Sequence, residues 1–291
     1  MDFDNENNDN EANDEADDDA NGEANDEAND NSRDNDINDV IRDPKVMLCE
    51  IIEIIHQRIP EVKTVTDLRR PKLQSYILHE FAVKVIQRLD INIYGFNRLI
   101  GANAKRDIDW YVGDDALDYF AALMLMQCTK KDKQVCILTA QYAVKCRRYD
   151  ANVANWAAEF RKNYVLDFSA APELADMIII NFHRQQHWTL VVIDTKKKKI
   201  TVYDSEPDTD LEFHHTVTNH LIYYLFEERE WNFEVDRSYQ QPTPVHCGVF
   251  NMLIMKKILC NSKLEIPLTE DKILEARYKM ALEILEEKID L

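Results

Sequence analysis

The chain has 291 residues, of which 54 are acidic and 35 basic, giving a formal net charge of −19 at pH 7. This balance argues against a protein that binds nucleic acid or an anionic membrane, because such proteins present a basic face. Only five glycines are present, which argues against a glycine-rich phosphate loop, and no apolar run approaches the length of a membrane span. Since the N-terminus lacks a basic or apolar segment, we expect no signal peptide and a nuclear or cytoplasmic protein.

Most of the negative charge lies at the N-terminus. The first 39 residues hold 17 acidic residues and one basic residue, a net of −16, which leaves −3 for the remainder. The string EANDEA occurs at Glu11–Ala16 and again at Glu23–Ala28. A segment with so few apolar side chains cannot offset the entropy cost of ordering, so we predict a disordered acidic tail over residues 1–42. A solvating extension is the favoured role, and binding of a basic partner is the alternative.

Apolar periodicity begins directly after this tail. Asp43-Pro44 is typical of an N-cap followed by proline at the first helical position, and apolar residues recur at helical spacing as far as Pro60. From Pro71 to Leu89 a second apolar stripe at i, i+4 steps predicts an amphipathic helix. We therefore predict that residues 43–91 form a helical segment that packs on residues 92–291.

Further helices and a cluster of strands are predicted from residue 115 onwards. A helix is predicted over residues 115–126, with helical segments continuing to about residue 161. Apolar runs at 187–193 and 200–203 flank four lysines and predict a β-hairpin. The other predicted elements are a strand at 177–180, a strand at 231–235, and helices at 211–225, 247–259 and 270–288. Helices, then clustered strands, then helices indicate an α+β fold with segregated layers.

Metal binding has little support in the sequence. Cys128, Cys136 and Cys146 never approach the two-residue spacing of a zinc knuckle. His183 and His187 are four residues apart, but they lie on a predicted loop and strand without a glutamate base between them. A polar predicted helix carries three more histidines without a companion acid or cysteine at ligand spacing: His214, His215 and His220. We predict no metal and no cofactor, and we expect the cysteines to be thiols in a reducing compartment.

A cysteine nucleophile is better supported. Cys247 stands at the predicted start of a helix, where the helix dipole and unpaired N–H groups favour a thiolate. Gly248 lets the backbone approach a substrate closely, and Gln241, six residues before the cysteine, offers an amide N–H to an oxyanion. His187 opens one strand of the predicted hairpin and Asp204 closes the other, 17 residues later. The hairpin therefore brings an imidazole and an orienting carboxylate together.

Taken singly, each of these residues has a plainer interpretation. A cysteine before a helix is usually a buried small apolar residue, a lone histidine is usually structural, and an aspartate after a strand usually belongs to a turn. The order and spacing of the complete set resemble those of the ubiquitin-like-protein-specific proteases, the SUMO/sentrin-specific cysteine protease family. The motifs that carry the resemblance are His187-Trp188, Tyr203-Asp204-Ser205, Gln241 and Cys247-Gly248. The similarity extends over about residues 92–290.

The resemblance implies a papain-like α+β fold, with a central, mostly antiparallel sheet flanked by helices. It also implies that the chain hydrolyses the tail of a ubiquitin-like modifier through a thiol. Cys247 would be the nucleophile, His187 the general base and Asp204 the group that orients the imidazole. Gln241 and the backbone N–H of Cys247 would form the oxyanion hole.

Two tryptophans are implied to line a narrow tunnel over the Gly-Gly end of the modifier. Trp110 and Trp188 match the positions of the family's tunnel tryptophans, and a flat aromatic wall admits glycine while excluding residues that bear a Cβ. Both could instead be ordinary core residues. The site interpretation is favoured for Trp188, and both interpretations stay open for Trp110. With Gly248, we predict these residues to be substrate-binding.

Two positions depart from the family pattern. His246 stands where the family usually has aspartate, directly before the nucleophile, and a cation there would favour the thiolate and alter the pH dependence. Gly113 stands where an aspartate usually follows the upstream tryptophan, with Asp114 and Asp115 adjacent. We therefore count His246, Asp114 and Asp115 among the predicted modifier-binding residues.

The sequence thus predicts a monomeric thiol protease or isopeptidase that cleaves after the C-terminal Gly-Gly of a ubiquitin-like modifier. The modifier would be SUMO or the neddylation modifier, and the reaction would be precursor processing, deconjugation or both. The short segment between Asp204 and Gln241 is closer to the compact deneddylating members of the family. Two alternatives remain: an inactive modifier-binding module of the same fold, and an interaction protein that acts through its acidic tail.

Overall fold

The computed structural model describes the following residues: 43–74, 77–80, 90–101, 110–128, 133–142, 164–166, 169–207, 211–227, 230–261, 266 and 269–290. The predicted acidic tail, residues 1–42, lies outside the described residues. So do Cys146, residues 81–89 of the second predicted helix, and residues 143–161, where helical segments were expected to continue.

The first helix, α1 (Pro44–Arg58), confirms the prediction from the sequence. Asp43 caps it, because Oδ1 of the carboxylate accepts a hydrogen bond of 2.9 Å from the backbone N–H of Lys45. The helix buries one face, which includes Ile51 and Ile55. This face joins the same buried cluster as the helices that follow, whereas the domain division at residue 91 stays a prediction.

The second predicted helix is wrong in the part that the structure describes. Pro71–Leu73 forms a single 3₁₀ turn, and Ile77–Glu80 is a strand, β1, which pairs antiparallel with β2 (Asp90–Asn92). Apolar residues at i, i+4 steps occupy one face of a helix, but four is also a multiple of two, so they equally occupy one face of a strand. The pairing with β2 decides between them, and no local pattern encodes that pairing.

A mixed sheet of five strands forms the centre of the molecule, in the order β3-β4-β5-β6-β7. Its strands are β3 (Val135–Leu138), β4 (Met177–Arg184), β5 (His187–Asp194), β6 (Lys199–Tyr203) and β7 (Asn232–Asp236). The expected antiparallel pairing holds for β4, β5 and β6, whereas β3 and β7 join the two edges in parallel. A helix was expected at residues 135–138, and this prediction is wrong because these residues form strand β3. All four of its side chains are buried, and a short run that is apolar on both faces has no periodicity to distinguish strand from helix.

In the described part of the chain, five further helices surround this sheet. Four lie close to their predicted positions, and one, α2, was not predicted from the sequence. They are α2 (Ile93–Ile100), α3 (Asp114–Cys128), α4 (Glu212–Phe226), α5 (Cys247–Leu259) and α6 (Glu270–Glu286). Alternate residues of β5 enter two different buried clusters. Leu190 and Val192 pack with α3 and α5, whereas Val191 and Ile193 pack with α4. This layering confirms the α+β class. Among the described helices, none is long and apolar enough to cross a membrane.

The expectation that all cysteines are thiols is wrong for one pair. Cys128, at the end of α3, forms a disulfide with Cys260, which directly follows α5. The two Cα atoms are 4.6 Å apart although the residues are separated by 132 positions in the sequence. Their proximity follows from the packing of α3 beside α5, which spacing in the sequence cannot show. Cys49 and Cys136 are free thiols.

Candidate active site

The hairpin formed by β5 and β6 brings His187 and Asp204 into contact. His187 is the first residue of β5 and Asp204 follows the last residue of β6. The strands run antiparallel, with Leu190 opposite Tyr203, so the start of one lies beside the end of the other. Nε2 of His187 lies 2.8 Å from Oδ1 of Asp204, and the two residues are only 7% and 1% exposed. Sequence reasoning therefore located this pair correctly in space.

Several donors fix the carboxylate of Asp204. Nε and Nη2 of Arg237 each donate to Oδ2 at 3.4 Å, and the backbone N–H of Glu206 donates to Oδ1 at 3.1 Å. The backbone N–H of Asp204 itself donates to the carbonyl of Asp236 at 3.0 Å. A carboxylate held in this way keeps one orientation, and it thereby fixes the plane of the His187 ring. Arg237 was not singled out in the sequence, because an exposed arginine after a strand carries no distinctive pattern.

Cys247 is a buried free thiol at the first position of α5. A 3₁₀ turn, Pro244–His246, directly precedes this helix. The N–H groups of a first helical turn have no partner within the helix, and the helix dipole is positive at this end, so a thiolate is favoured here. The predicted start of the helix at the cysteine is confirmed.

The Cys247 thiol and the His187 ring interact. Burial lowers the pKa of His187, but hydrogen bonding and charge interactions with Asp204 and with the thiol outweigh burial and raise the pKa to about 9. The imidazole is therefore protonated at neutral pH. Asp204 occupies Nε2, which leaves Nδ1 for the thiol; Nδ1 also lies 3.4 Å from Oε2 of Glu206. Such a thiol–imidazole pair can supply a thiolate and then a proton.

The side chain of Gln241 holds an unused hydrogen-bond donor. Its backbone N–H donates to the carbonyl of Ser205 at 3.0 Å, and the Ser205 hydroxyl donates to Oε1 at 3.3 Å. These two bonds fix the amide with Nε2 buried and without a hydrogen-bond partner among the described residues. A buried N–H without a partner costs about 1–3 kcal/mol. An oxyanion formed during catalysis would satisfy this donor.

Trp188, Val112 and Gly248 pack together beside the nucleophile. The indole N–H of Trp188 donates to the carbonyl of Val112 at 2.9 Å. A Cβ added at Gly248 would lie 2.7 Å from Cβ of Val112 and 3.4 Å from Cδ1 of Trp188. Only glycine therefore fits directly after the cysteine. Sequence reasoning missed Val112, since one valine after an irregular segment has no distinguishing pattern.

Trp110 is half-buried, and its ring packs against Gly101, the residue that directly follows α2. A Cβ at Gly101 would overlap its ring, and Gly101 adopts a left-handed φ of 67°, which glycine tolerates best. The guanidinium of Arg277 lies over the ring, 5.4 Å from its centroid. The ring of Trp110 is thereby in contact with α6, while its part in a substrate tunnel stays a prediction.

The two acidic residues after Gly113 differ in their surroundings. Asp115 packs so closely against α2 that a Cβ at Gly95 would overlap its carboxylate, and burial raises the pKa of Asp115. Asp114 accepts a hydrogen bond of 2.5 Å from Nε2 of Gln141. Of the two carboxylates, Asp114 is thus the one that keeps a polar, surface-type contact. Modifier binding by either residue stays a prediction.

His246 does not provide the cation that the sequence suggested. The residue is buried, and burial together with the charge of Arg277 lowers the pKa of His246 to about 4. It is therefore neutral at pH 7. Besides the imidazolium of His187, a second cation interacts with Cys247, namely Arg277 of α6. Sequence reasoning missed it because an arginine in an amphipathic helix normally indicates a solvent-facing position.

The histidines that the sequence analysis considered as metal ligands, and did not favour, are dispersed in the structure. His183 packs on the ring of Trp188 with centroids 4.4 Å apart, and Nε2 of His214 lies 2.5 Å from the hydroxyl of Thr189. Within the described ranges, no group of three His, Cys, Asp or Glu side chains is placed to hold a metal ion. Both histidines have local partners that account for their positions.

A thiol at a helix N-terminus, an imidazole oriented by a buried carboxylate and an unused amide donor define a cysteine protease of the papain-like type. The sequence agrees with this class. The model of the Ulp1 protease family, C-terminal catalytic domain, matches residues 118–290, and the chain belongs to this family. It is accordingly a cysteine peptidase, a hydrolase.

Solved structures share the fold over most of their length. The SUMO protease Ulp1 with its catalytic cysteine oxidized to a sulfenic acid is 17% identical, over 76% of this chain and 92% of that chain, with a TM-score of 0.54. The C-terminal Ulp1 protease domain in complex with Smt3, the yeast ortholog of SUMO, is 19% identical, over 77% and 92%, with a TM-score of 0.51. A de-sumoylating protease is 16% identical, over 72% and 91%, with a TM-score of 0.52. These likenesses confirm the papain-like α+β fold. A comparison with curated proteins gave no match.

Proposed function

We propose that this cysteine protease cleaves after the C-terminal Gly-Gly of a ubiquitin-like modifier, as a precursor-processing enzyme, a deconjugating isopeptidase or both. One observation carries the proposal: directly after Cys247 the chain has room only for glycine, since Val112 and Trp188 fill the space of any Cβ at Gly248. The proposal places the path of the substrate strand beside Val112 and Trp188, so that this strand must be equally slim. A Gly-Gly terminus meets that requirement.

The proposed reaction begins with the Cys247–His187 pair. The Cys247 thiolate attacks the carbonyl carbon of the terminal glycine, and the carbonyl oxygen becomes an oxyanion. Nε2 of Gln241 and the backbone N–H of Cys247 donate to that oxyanion. The imidazolium of His187 then gives its proton to the departing amine, which is a lysine Nζ in a conjugate or an α-amine in a precursor.

Hydrolysis of the resulting thioester completes the cycle. His187, now neutral, takes a proton from a water molecule as that water attacks the thioester carbon. Collapse of the second tetrahedral intermediate releases the modifier with a free carboxylate and returns the thiolate of Cys247 with the protonated ring. Asp204 holds the ring in one orientation through both steps and stabilises its positive charge.

The two candidates for the modifier are SUMO and the neddylation modifier. A relative of the same fold is known in complex with Smt3, the yeast ortholog of SUMO, which supports a SUMO-type partner. The short segment between Asp204 and Gln241 supports a neddylation-type partner. Asp114, half-buried at the start of α3, is proposed to contact a basic patch on either one.

A panel of modifiers with C-terminal vinyl-sulfone groups tests the proposal. We expect one modifier to label wild-type protein at Cys247, seen as a mass increase on the Cys247 peptide, and Cys247→Ala to remain unlabelled. A modifier whose penultimate glycine is replaced by alanine is the matched control and should label far more slowly. If no modifier labels a folded wild-type protein, the proposed activity is wrong. If Cys247→Ala and wild type bind a modifier equally and neither turns it over, the chain is a binding module.

A further inference from the structure

Among the residues whose burial the structure describes, Arg277 is the largest fully buried side chain, at 0% exposure in the middle of α6. Among the residues that the structure describes, no carboxylate lies within ion-pair distance of its guanidinium. Removing a charge from water costs several kcal/mol unless a partner compensates for it. A buried cation without a carboxylate partner therefore calls for another explanation, and its backbone contacts supply one.

The guanidinium joins three separate segments. Nη1 donates to the carbonyls of Arg98 and Leu99, in the last turn of α2, at 3.2 and 2.9 Å. Nη2 donates to the carbonyl of Trp110 at 2.8 Å and to that of Val245 at 2.9 Å. Val245 lies in the turn that leads into the nucleophile. One planar group thus fastens α2, Trp110 and this turn to α6 at fixed distances.

The positive charge also lies close to the thiol. Nη2 is 3.2 Å from Nδ1 of His246, the residue directly before Cys247. Burial lowers the pKa of Arg277 to about 10, and the charge of Cys247 partly opposes that effect. Arg277 therefore stays protonated at neutral pH. His246 is neutral there, so the arginine supplies the cation on this side of the thiol.

We propose that Arg277 is a positioning residue of the active site, which holds the turn before Cys247 against Trp110 and whose fixed charge favours the Cys247 thiolate. This inference rests on the proposed role of Cys247 as the nucleophile. Two charged groups interact with the thiol directly: His187, which has Asp204 and Glu206 behind it, and Arg277. The other titratable groups on this side interact with Arg277 and are His246, Glu270 and Tyr278.

Two substitutions test the charge of Arg277 and its hydrogen-bond donors separately. Arg277→Met removes both, and we expect the pH midpoint for alkylation of Cys247 by iodoacetamide to rise, with a rate at pH 6.5 at least tenfold below that of wild type. Arg277→Lys keeps the charge, and we expect a midpoint near that of wild type with a lower kcat on the modifier substrate. Alkylation is followed by mass spectrometry of the Cys247 peptide, so the free thiols of Cys49 and Cys136 do not interfere.

Two further variants keep the test decisive. His246→Asp leaves Arg277 in place but gives it a carboxylate partner beside the thiol, so alkylation at pH 6.5 should slow severalfold even if Arg277→Met fails to fold. Arg58→Met is the matched control: Arg58 also donates to backbone carbonyls, those of Leu78 and Leu285, but it lies on α1. It should lower Tm and leave the alkylation midpoint unchanged.

The inference is wrong if a folded Arg277→Met protein keeps the wild-type pH midpoint for alkylation of Cys247. If Arg277→Met does not fold, an unchanged midpoint in His246→Asp has the same consequence. Alkylation needs no modifier, so this result is independent of the probe panel. If the midpoints shift as expected while no modifier labels the wild type, the role of Arg277 at the thiol stands and the proposed substrate class is wrong.

Discussion

Replacing Asp204 with asparagine tests whether this carboxylate sets the protonation state of His187. Asparagine keeps the shape of the side chain and an oxygen that can accept from the backbone N–H of Glu206. It removes the negative charge 2.8 Å from Nε2 of His187. Any change in the imidazole pKa therefore reports the loss of charge and of the charge-assisted hydrogen bond.

The size of the effect follows from the pKa of His187. The pKa is about 9 against an ordinary 6.5, so the site favours the imidazolium by about 3 kcal/mol, net of the opposing effect of burial. In Asp204→Asn the burial remains, and only the thiol still raises the pKa. We expect the pKa to fall by at least one unit. With a fall to the ordinary value, the protonated fraction at pH 8 would drop from roughly nine-tenths to a few hundredths.

The assay is the pH profile of kcat/KM on a modifier fused to a fluorogenic leaving group. The alkaline limb should lie near pH 9 for wild type and move to lower pH in Asp204→Asn, with activity at pH 8 reduced at least tenfold. Asp236→Asn, which removes a nearby carboxylate that does not contact His187, is the control and should keep the wild-type limb. An unmoved alkaline limb in a folded Asp204→Asn protein would refute the reasoning.

Three further outcomes follow from the site. Gln241→Ala should lower kcat about 100-fold or more with little change in KM, because it removes the buried amide N–H that is proposed to donate to the oxyanion. Gly248→Ala should lower both Tm and kcat/KM, at a cost of about 1–3 kcal/mol, because the new Cβ meets Val112. His246 has a folded pKa of about 4, below the ordinary 6.5, so the unfolded chain binds the proton first as the pH falls. The free energy of unfolding should therefore decrease by up to about 3 kcal/mol between pH 6.5 and 4, and His246→Asn should remove this decrease.

Each of these outcomes has its own control. An equal rise in KM would show that Gln241 binds substrate rather than the oxyanion. Alanine normally stabilises a helix over glycine by about 0.5–1 kcal/mol, so a higher Tm in Gly248→Ala would show that the space after the cysteine is open. Carboxylates also titrate between pH 6.5 and 4, so for His246 the difference between wild type and His246→Asn is the quantity measured. No difference would contradict the lowered pKa.

Local patterns predicted most of the fold. Helix α5 begins at Cys247 as predicted, because its apolar spacing and the preceding prolines mark the boundary within a few residues. The hairpin that joins His187 to Asp204 was predicted for a similar reason, since two apolar runs around a charged turn pair with each other. The apolar pattern fits both a helix and a strand at Ile77–Glu80 and at Val135–Leu138. There the predicted helix was wrong, because pairing with another strand made each segment a strand.

The amino-acid sequence by itself determined the residue types of the candidate site and their order. His187, Asp204 and Cys247 also lie at the ends of elements, and those ends are set by neighbours along the chain. Only the tertiary structure decided what surrounds them. Arg277 donates hydrogen bonds to the carbonyls of Trp110 and Val245, and Val112 packs against Gly248. These contacts join segments that are far apart in sequence. Such contacts depend on how helices and strands pack, and a single sequence records the residues but not the partners that packing gives them.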